Sequence, residues 1–361
     1  MLEIDGSFGE GGGQVLRTAL SLSCLLNKPF RIFNIRKGRK KPGLMPQHLM
    51  GIRSLKLISD AKVKGDSKGS TELLFEPNKV EAGDYFFDIG TAGSTSLLLQ
   101  TILPPLIFAK NKSSLSLKGG THVPLSPPFH YIGNVFIPIL NRLGIEVKAK
   151  IETYGFYPKG GGKVNVEIKP VDVIKGMKFL ERGEIKGVHG LSGVGNLPLS
   201  IAERQRDAGL KILVSQGVYA EIETLSVSTP GQGTFIFLEA VSDNCLAGFS
   251  SLGERGKKAE LVGEEAAKKF LDYYSTSACL DHQLSDQIVL YLAIAQGESS
   301  FTTSEISGHL HTNLWVIKKF LGNQFQYRVE GEMGKQGRVT INPLFPPYFK
   351  VDERGLSDKG E

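Results

Sequence analysis

Two histidines, His309 and His311, stand one residue apart in the stretch "SGHLHTNLWV" at 307–316, out of only seven in the chain. Imidazole nitrogens serve as metal ligands, proton shuttles or nucleophiles. A pair spaced i, i+2 shares a face on a strand and diverges on a helix. A metal site wants a third ligand, and none lies nearby in the sequence. Thr312 or Asn313 has the chemistry to cap the apolar run that follows. The segment therefore reads as a histidine held between a strand end and a helix start, a placement that suits an oriented nucleophile.

Other stretches carry further candidates. "DGSFGEGGGQVLR" sets Glu10 among glycines, ahead of a helix with Gln14 and Arg17. Amides at such a helix start attract anions. A carboxylate there complements the helix dipole, or holds a metal or a sugar hydroxyl. "IRKGRKKPGLMPQHL" brings together Arg36, Arg39, Gln47 and His48, with Pro42-Gly43 fixing the turn. The planar guanidinium fork suits phosphate, whereas His48 on its own reads equally as a cap or surface residue. "DIGTAGSTSLLLQ" is a second Gly/Ser/Thr-rich helix entry, with Gln100 inside the helix. "SDQIVLYLAIAQG" puts Asp286 and Gln287 at another helix start, where Asp286 serves as an N-cap or binds a metal or nucleotide. The Walker loop, the G-x-G-x-x-G fingerprint and a K-x-D-G nucleophile are all missing, so any nucleotide is handled by another route.

Charge points to a polyanion. Between Glu10 and Asp60 there is no acidic residue, while ten lysines and arginines fall there. The whole chain carries a net charge of +6, so the remainder is slightly acidic. A cationic segment interleaved with glycine, proline and apolar residues suits nucleic acid or polyphosphate. The chain has 361 residues, 40% hydrophobic and 22% charged, with no apolar run of membrane-spanning length. Its three cysteines form no CxxC pair, which argues against a disulfide scaffold or a thiolate zinc site. No signal peptide is apparent, and a reduced, cytoplasmic protein is expected.

These residues need elements to hold them. A turn–helix–strand–helix pattern occurs three times. Its Gly-rich or polar turns are "DGSFGEGGGQ", "DIGTAGS" and "LDHQLSDQ", and alternating strands such as "STELLFEP" and "GGKVNVEIKP" close the units. The expected fold class is α/β (α+β), with three units of two helices on a four-stranded sheet. Residues 183–278 break the pattern. They read as a strand (184–190), a helix, a hairpin of "YAEIETLSV" and "GTFIFLEAV" joined by "STPGQ", a short strand and a long helix. That is a small βαββα domain inserted in the third unit. The expected large domain is 1–182 plus 279–345, and the tail 346–361 has no periodic pattern and is expected to be mobile.

Taken together, "IDGSFGEGGGQVLRTALSLS", "IRKGRKKPGLMPQHL", "DIGTAGSTSLLLQTILP", "GFYPKGGG", "LSDQIVLYLAIAQG" and "GHLHTN" resemble the RNA 3'-terminal phosphate cyclases, in the family's order and from about residue 3 to 342. The resemblance implies three repeats related to a translation-initiation-factor domain, and a thioredoxin-like insert. It implies ATP and a divalent metal, magnesium or manganese, as cofactors. The implied partner is RNA with a 3'-terminal phosphate, and a dimer is the one oligomer considered. It implies that a histidine is adenylylated by ATP and passes AMP to the RNA 3'-phosphate, and that the neighbouring 2'-hydroxyl then closes a 2',3'-cyclic phosphate and expels AMP. In the family's His-x-x-Thr-Asn pattern the first histidine is the nucleophile, which is His309. By the same matching Glu10, Gln14, Arg17, Gln100, Asp286 and Gln287 line the nucleotide and metal site, with Glu10 on the metal. The strip Gln283, Leu284, Ser285, Asp286, Gln287 lies on the adenine side. Arg36, Arg39, Gln47 and His48 hold the RNA phosphate. Gln283 departs from the histidine or tyrosine usual there, so altered nucleotide contacts are expected.

Two other readings compete. Noncatalytic relatives in ribosome assembly and RNA processing lack the nucleophilic histidine, which this chain has. Enolpyruvyl transferases share a related repeat and a similar Gly-Thr-Ala-Gly turn, but the acid-free segment fits RNA better than a small acid.

Overall fold

The computed structural model describes residues 1–344, so the tail 346–361 lies outside the described residues. The first unit runs β1 (Leu2–Asp5), α1 (Gly13–Leu26), β2 (Phe30–Phe33), α2 (Pro46–Ser59), β3 (Lys62–Lys64) and β4 (Leu73–Glu76). Its sheet order is β1-β2-β4-β3. β1 and β2 are parallel, joined across α1, while β4 is antiparallel to β2 and to β3. The second unit repeats this with β5 (Asp84–Asp88), α3 (Thr95–Leu106), β6 (Ser113–Gly119), a second helix, β7 (Val147–Thr153) and β8 (Gly162–Ile168). That second helix is α4 (Phe129–Tyr131), a π-helical stretch Ile132–Phe136 and α5 (Ile137–Arg142) in succession. The order β5-β6-β8-β7 is the same topology.

The third unit opens with β9 (Lys178–Phe179). The chain then leaves it for β10 (Ile185–Gly195), α6 (Leu199–Ser215), β11 (Glu221–Ser226), β12 (Gly233–Ser242), β13 (Leu246–Leu252) and α7 (Ala259–Tyr274). It returns with α8 (His282–Ala293), β14 (Ser299–Thr303), α9 (Gly308–Leu321), β15 (Phe325–Gly331) and β16 (Gly337–Pro343). β9 pairs in parallel with β14, giving β15-β16-β14-β9, the same topology a third time. Each sheet is thus a βαβαββ unit with two helix connections on one face, as the periodicity predicts.

Residues 185–274 build a separate four-stranded sheet, β11-β10-β12-β13, with its own buried cluster around Ile236, Leu238, Ala266 and Phe270. Here the expected hairpin is wrong. β11 and β12 do not pair; β10 lies between them, parallel to β11 and antiparallel to β12. The cause is α6, a crossover helix that returns the chain parallel to β10. The "STPGQ" link then steps over the end of β10, and the true hairpin is β12–β13. The sheet has four strands, as many as the individual segments predict and one more than the βαββα label counts.

The helices that matter for chemistry start at polar caps. Ser94 Oγ accepts from Leu97 N, Asp281 Oδ1 from Leu284 N and Ser307 Oγ from Leu310 N, starting α3, α8 and α9. The cap of α8 is therefore Asp281, and Asp286 lies a full turn inside. Likewise α9 begins before both histidines, so Thr312 and Asn313 are helix interior and not caps. α1 packs against α9 and α3, and α8 packs against α9. This packing brings three helix N-termini from two different units together.

Candidate active site

His309 sits in the first turn of α9. Its Nε2 lies 3.1 Å from Glu10 Oε2, on the Gly-rich loop of the first unit. Two residues along a helix are turned about 200° apart, so His311 points the other way. A metal pair at this spacing is excluded by that geometry. The His309 side chain is 45% exposed, yet its Nδ1 is buried and without a hydrogen-bond partner. Nε2 is therefore the nitrogen that a substrate can reach. Burial lowers the His309 pKa; Glu10 opposes this, and Arg17, Arg39 and His282 add to the lowering. The ring is thus biased toward its neutral form.

The Gly-rich loop reaches His309 because of glycine. Gly9 adopts φ +62°, and a Cβ there would sit 2.3 Å from Thr312 Oγ1 on α9. A side chain at Gly9 would push the loop off the helix and carry Glu10 away from His309.

The first turn of α1 is crowded by cations and donors. A Cβ at Gly13 would lie 2.5 Å from His48 Nε2 and 3.0 Å from Arg17 Nη1. His48 Nδ1 accepts from Met45 N at 3.1 Å, which leaves the proton on Nε2, facing α1. Burial, then Arg17 and Arg36, push the His48 pKa down to about 3, so it is a neutral donor. Burial also pulls Arg17 down to about 10. Arg17 Nη2 donates to Gln14 Oε1. Arg39 Nη2 donates to Glu10 O at 2.9 Å and lies 3.8 Å from its carboxylate. Helix dipole, two arginines and a histidine N–H together make an anion cradle beside His309.

Asn313 ties the three helices. It lies four residues after His309, on the same side of α9. Its Oδ1 accepts from Thr18 Oγ1 at 2.7 Å and Gln14 Nε2 at 2.8 Å, and its Nδ2 donates to Asp286 O at 2.6 Å. Ser307 Oγ donates to Asp286 Oδ1 at 2.5 Å. Burial pushes the Asp286 carboxyl well above the carboxylate range, against the bond from Ser307. Gln100 and Gln287 are each the sixth residue of their helices, α3 and α8. Gln100 Nε2 and Gln287 Oε1 are both buried without a partner, as is His309 Nδ1. Unsatisfied buried polar atoms are costly, and they recur at sites that await a ligand.

Glu10, Gln14, Arg17, Arg39, His48, Asp286 and His309 therefore gather through these contacts. Others turn elsewhere. Arg36, at φ +54°, spends Nη1 on Lys41 O and Gly43 O, 2.8 and 3.0 Å away. Gln47 Oε1 accepts from Ser94 N at 3.4 Å, bridging α2 to the start of α3. Leu284 and Ser285 are fully buried, with Ser285 Oγ on Asp281 O and Thr303 Oγ1. Gln283 is half-buried at the start of α8. Sequence reasoning missed Thr18, Ser307 and Asn313. The i, i+4 spacing of His309 and Asn313 was the available signal for the last. Among the described residues no three His, Cys, Asp or Glu side chains gather as a metal site, and no helix is long and apolar enough to cross a membrane.

The chain is similar to known proteins over nearly its whole length. A family model described as RNA 3'-terminal phosphate cyclase matches residues 8–327. Over 341 residues the chain is 44% identical to the RNA 3'-terminal phosphate cyclase of Ignicoccus hospitalis, covering 93% of this chain and 96% of that one. It is 46% identical over 327 residues to the enzyme of that name from Saccharolobus solfataricus, covering 89% and 94%. For that of Pyrococcus abyssi the figures are 43% over 341 residues, covering 94% and 98%. The chain belongs to the RNA 3'-terminal phosphate cyclase family.

Proposed function

We propose that this cyclase works through His309 as a covalent carrier of AMP, with ATP as co-substrate and RNA ending in a 3'-phosphate as substrate. His309 Nε2 attacks the α-phosphorus of ATP; an N–P bond forms and the bond to pyrophosphate breaks. An oxygen of the RNA 3'-phosphate then attacks the adenylyl phosphorus, and the N–P bond breaks. Last, the 2'-hydroxyl oxygen attacks the RNA phosphorus, AMP leaves, and the 2',3'-cyclic phosphodiester remains. A phosphate monoester is a poor electrophile, and the adenylate gives it a good leaving group beside a tethered nucleophile.

One observation carries this reading. The accessible nitrogen of a neutral-biased histidine stands beside an anion cradle of Arg17, Arg39, His48 and the start of α1. Arg17 and Arg39 suit charge developing on phosphate oxygens. Glu10 fits a magnesium or manganese ion that takes one protein carboxylate and most of its ligands from phosphates and water, and such an ion would neutralise phosphate charge there. Asp286, held near neutrality by burial, positions Ser307 and Asn313 instead. Gln100 and Gln287 would give their free amide groups to the nucleotide. We read residues 183–278 as an inserted domain because they have a core of their own.

The test is incubation with α-labelled ATP and magnesium or manganese. The protein should acquire an acid-labile, base-stable label, and His309→Ala should abolish it. Wild-type protein that never labels sinks the covalent mechanism. Label retained by His309→Ala moves the nucleophile elsewhere.

A further inference from the structure

The outer face of α9 carries a stripe that the chemistry above does not use. His311, Trp315 and Lys319 are spaced i, i+4, i+8 and so share one side of the helix. Phe8, from the Gly-rich loop, stacks on Trp315 with ring centroids 4.0 Å apart and planes 9° apart. The His311 imidazole lies 5.7 Å from Phe8 with planes 19° apart. Lys319 Nζ covers Trp315 at 5.4 Å from the ring centroid. Phe8 and Trp315 are half-buried, and His311 and Lys319 are exposed.

Packing explains part of this. The Phe8–Trp315 pair fastens the loop to α9. His311 is not needed for that, because Trp315 already covers Phe8. Among the described residues the His311 side chain has no hydrogen bond or ion pair, and Phe8 is its one ring contact. An exposed, near-parallel ring flanking an aromatic pair is a platform for one more flat ring.

We propose that His311, backed by Phe8 and Trp315, is a stacking subsite for the nucleobase of the RNA 3'-terminal nucleotide. This rests on RNA being the substrate. Phe8 and His311 each lie two residues from Glu10 and His309, whose side chains meet at 3.1 Å, and two residues span at most about 7 Å of chain. The ladder is therefore tied within two residues of the reacting centre on both the loop and the helix. The strip Gln283, Asp286, Gln287 belongs to α8, which meets α9 on the Asn313 side. His311 points away from that side, so the terminal base of RNA fits the platform and the adenine of ATP does not. Stacking is blind to base identity, so the platform would take any terminal base.

Trp315 is the sole tryptophan and reports on the stack directly. Its emission should shift when a short oligoribonucleotide ending in a 3'-phosphate is added, and not with ATP alone. His311→Ala should raise KM for that oligonucleotide about tenfold, with a much smaller change in kcat, and His311→Phe should restore it. The same oligonucleotide with an abasic 3'-terminal nucleotide should lose about as much with wild-type protein, and nothing more with His311→Ala. Additive losses, or an unchanged KM, would overturn the subsite. A shift with ATP alone would overturn it too, by assigning the platform to adenine. Failure here with cyclisation intact removes only the subsite, whereas absent cyclisation would remove the function itself.

Discussion

Glu10 and His309 are separated by nearly the whole chain and belong to the first and third units, yet their side chains meet at 3.1 Å. The contact occupies Nε2, the nitrogen a substrate can reach. The proposed nucleophile is thus held by the same carboxylate that would suit a metal ion. A cation drawn to Glu10 would compete with His309 for that carboxylate and free Nε2.

Glu10→Gln separates these roles. Glu10 favours the charged imidazole, against burial, so its neutralisation should lower the His309 pKa further. Histidine NMR titration reads this shift directly. Self-adenylylation should nevertheless fall about 100-fold, because an electrostatic group at the phosphates is lost. A raised His309 pKa in this variant would contradict the geometry.

Stability should drop in mild acid. Burial holds His48 at about 3 and His130 at about 4, and pushes His122 well down. The unfolded chain takes up protons near pH 6.5 that these folded rings refuse. Their contribution is complete above about pH 6.5 and is lost as pH falls toward their folded values. Each such group costs up to about 1.4 kcal/mol per pH unit in that window. Urea denaturation at pH 7, 6 and 5 should show a falling midpoint, and His130→Phe should flatten the trend. A midpoint independent of pH would mean that these rings are not held neutral.

Much of this was legible in the sequence, for a physical reason. The three units announce themselves through Gly-rich or polar turns leading into apolar helices, and those are local signals. His309, Glu10 and Arg17 were visible as candidates because each stands at or near a helix start, although a carboxylate such as Glu10 also suits the helix dipole there. The β11–β10 pairing was not legible, because "STPGQ" looks like a hairpin turn until α6 fixes which strand lies between. The division into an ATP set and an RNA set also failed to anticipate the packing. Arg39 reaches Glu10, and His48 shares Gly13 with Arg17, through loop 36–43 folding back on α1. Nothing within that loop specifies where it docks.

Asn313 should prove a structural hinge pin as much as a site residue. It is 2% exposed and bonds to Thr18, Gln14 and Asp286 together. Asn313→Ala takes the partner from the Thr18 hydroxyl proton and from Asp286 O, while the Gln14 amide keeps only its bond to Thr18 Oγ1. A loss of about 2–3 kcal/mol in unfolding free energy is expected, from buried polar groups left unpaired. Chemical denaturation checks it. A change below about 0.5 kcal/mol would mean that water restores the network.

Arg36 and Arg39, three residues apart in one basic loop, should behave differently. Arg39 donates to Glu10 O and lies 3.8 Å from its carboxylate, which in turn meets His309. Arg36 is turned into its own loop, on Lys41 O and Gly43 O. Arg39→Ala should therefore impair self-adenylylation and transfer to RNA together, each by about 10- to 100-fold. Arg36→Ala should mainly impair transfer, since it slackens the loop that carries Arg39 and the exposed lysines Lys37, Lys40 and Lys41. Single-turnover assays with labelled ATP, with and without a 3'-phosphorylated oligoribonucleotide, measure both steps. If Arg39→Ala adenylylates like wild type and only transfer suffers, then Arg39 serves the RNA phosphate alone, and its contact with Glu10 is a resting-state pairing that breaks when substrate arrives.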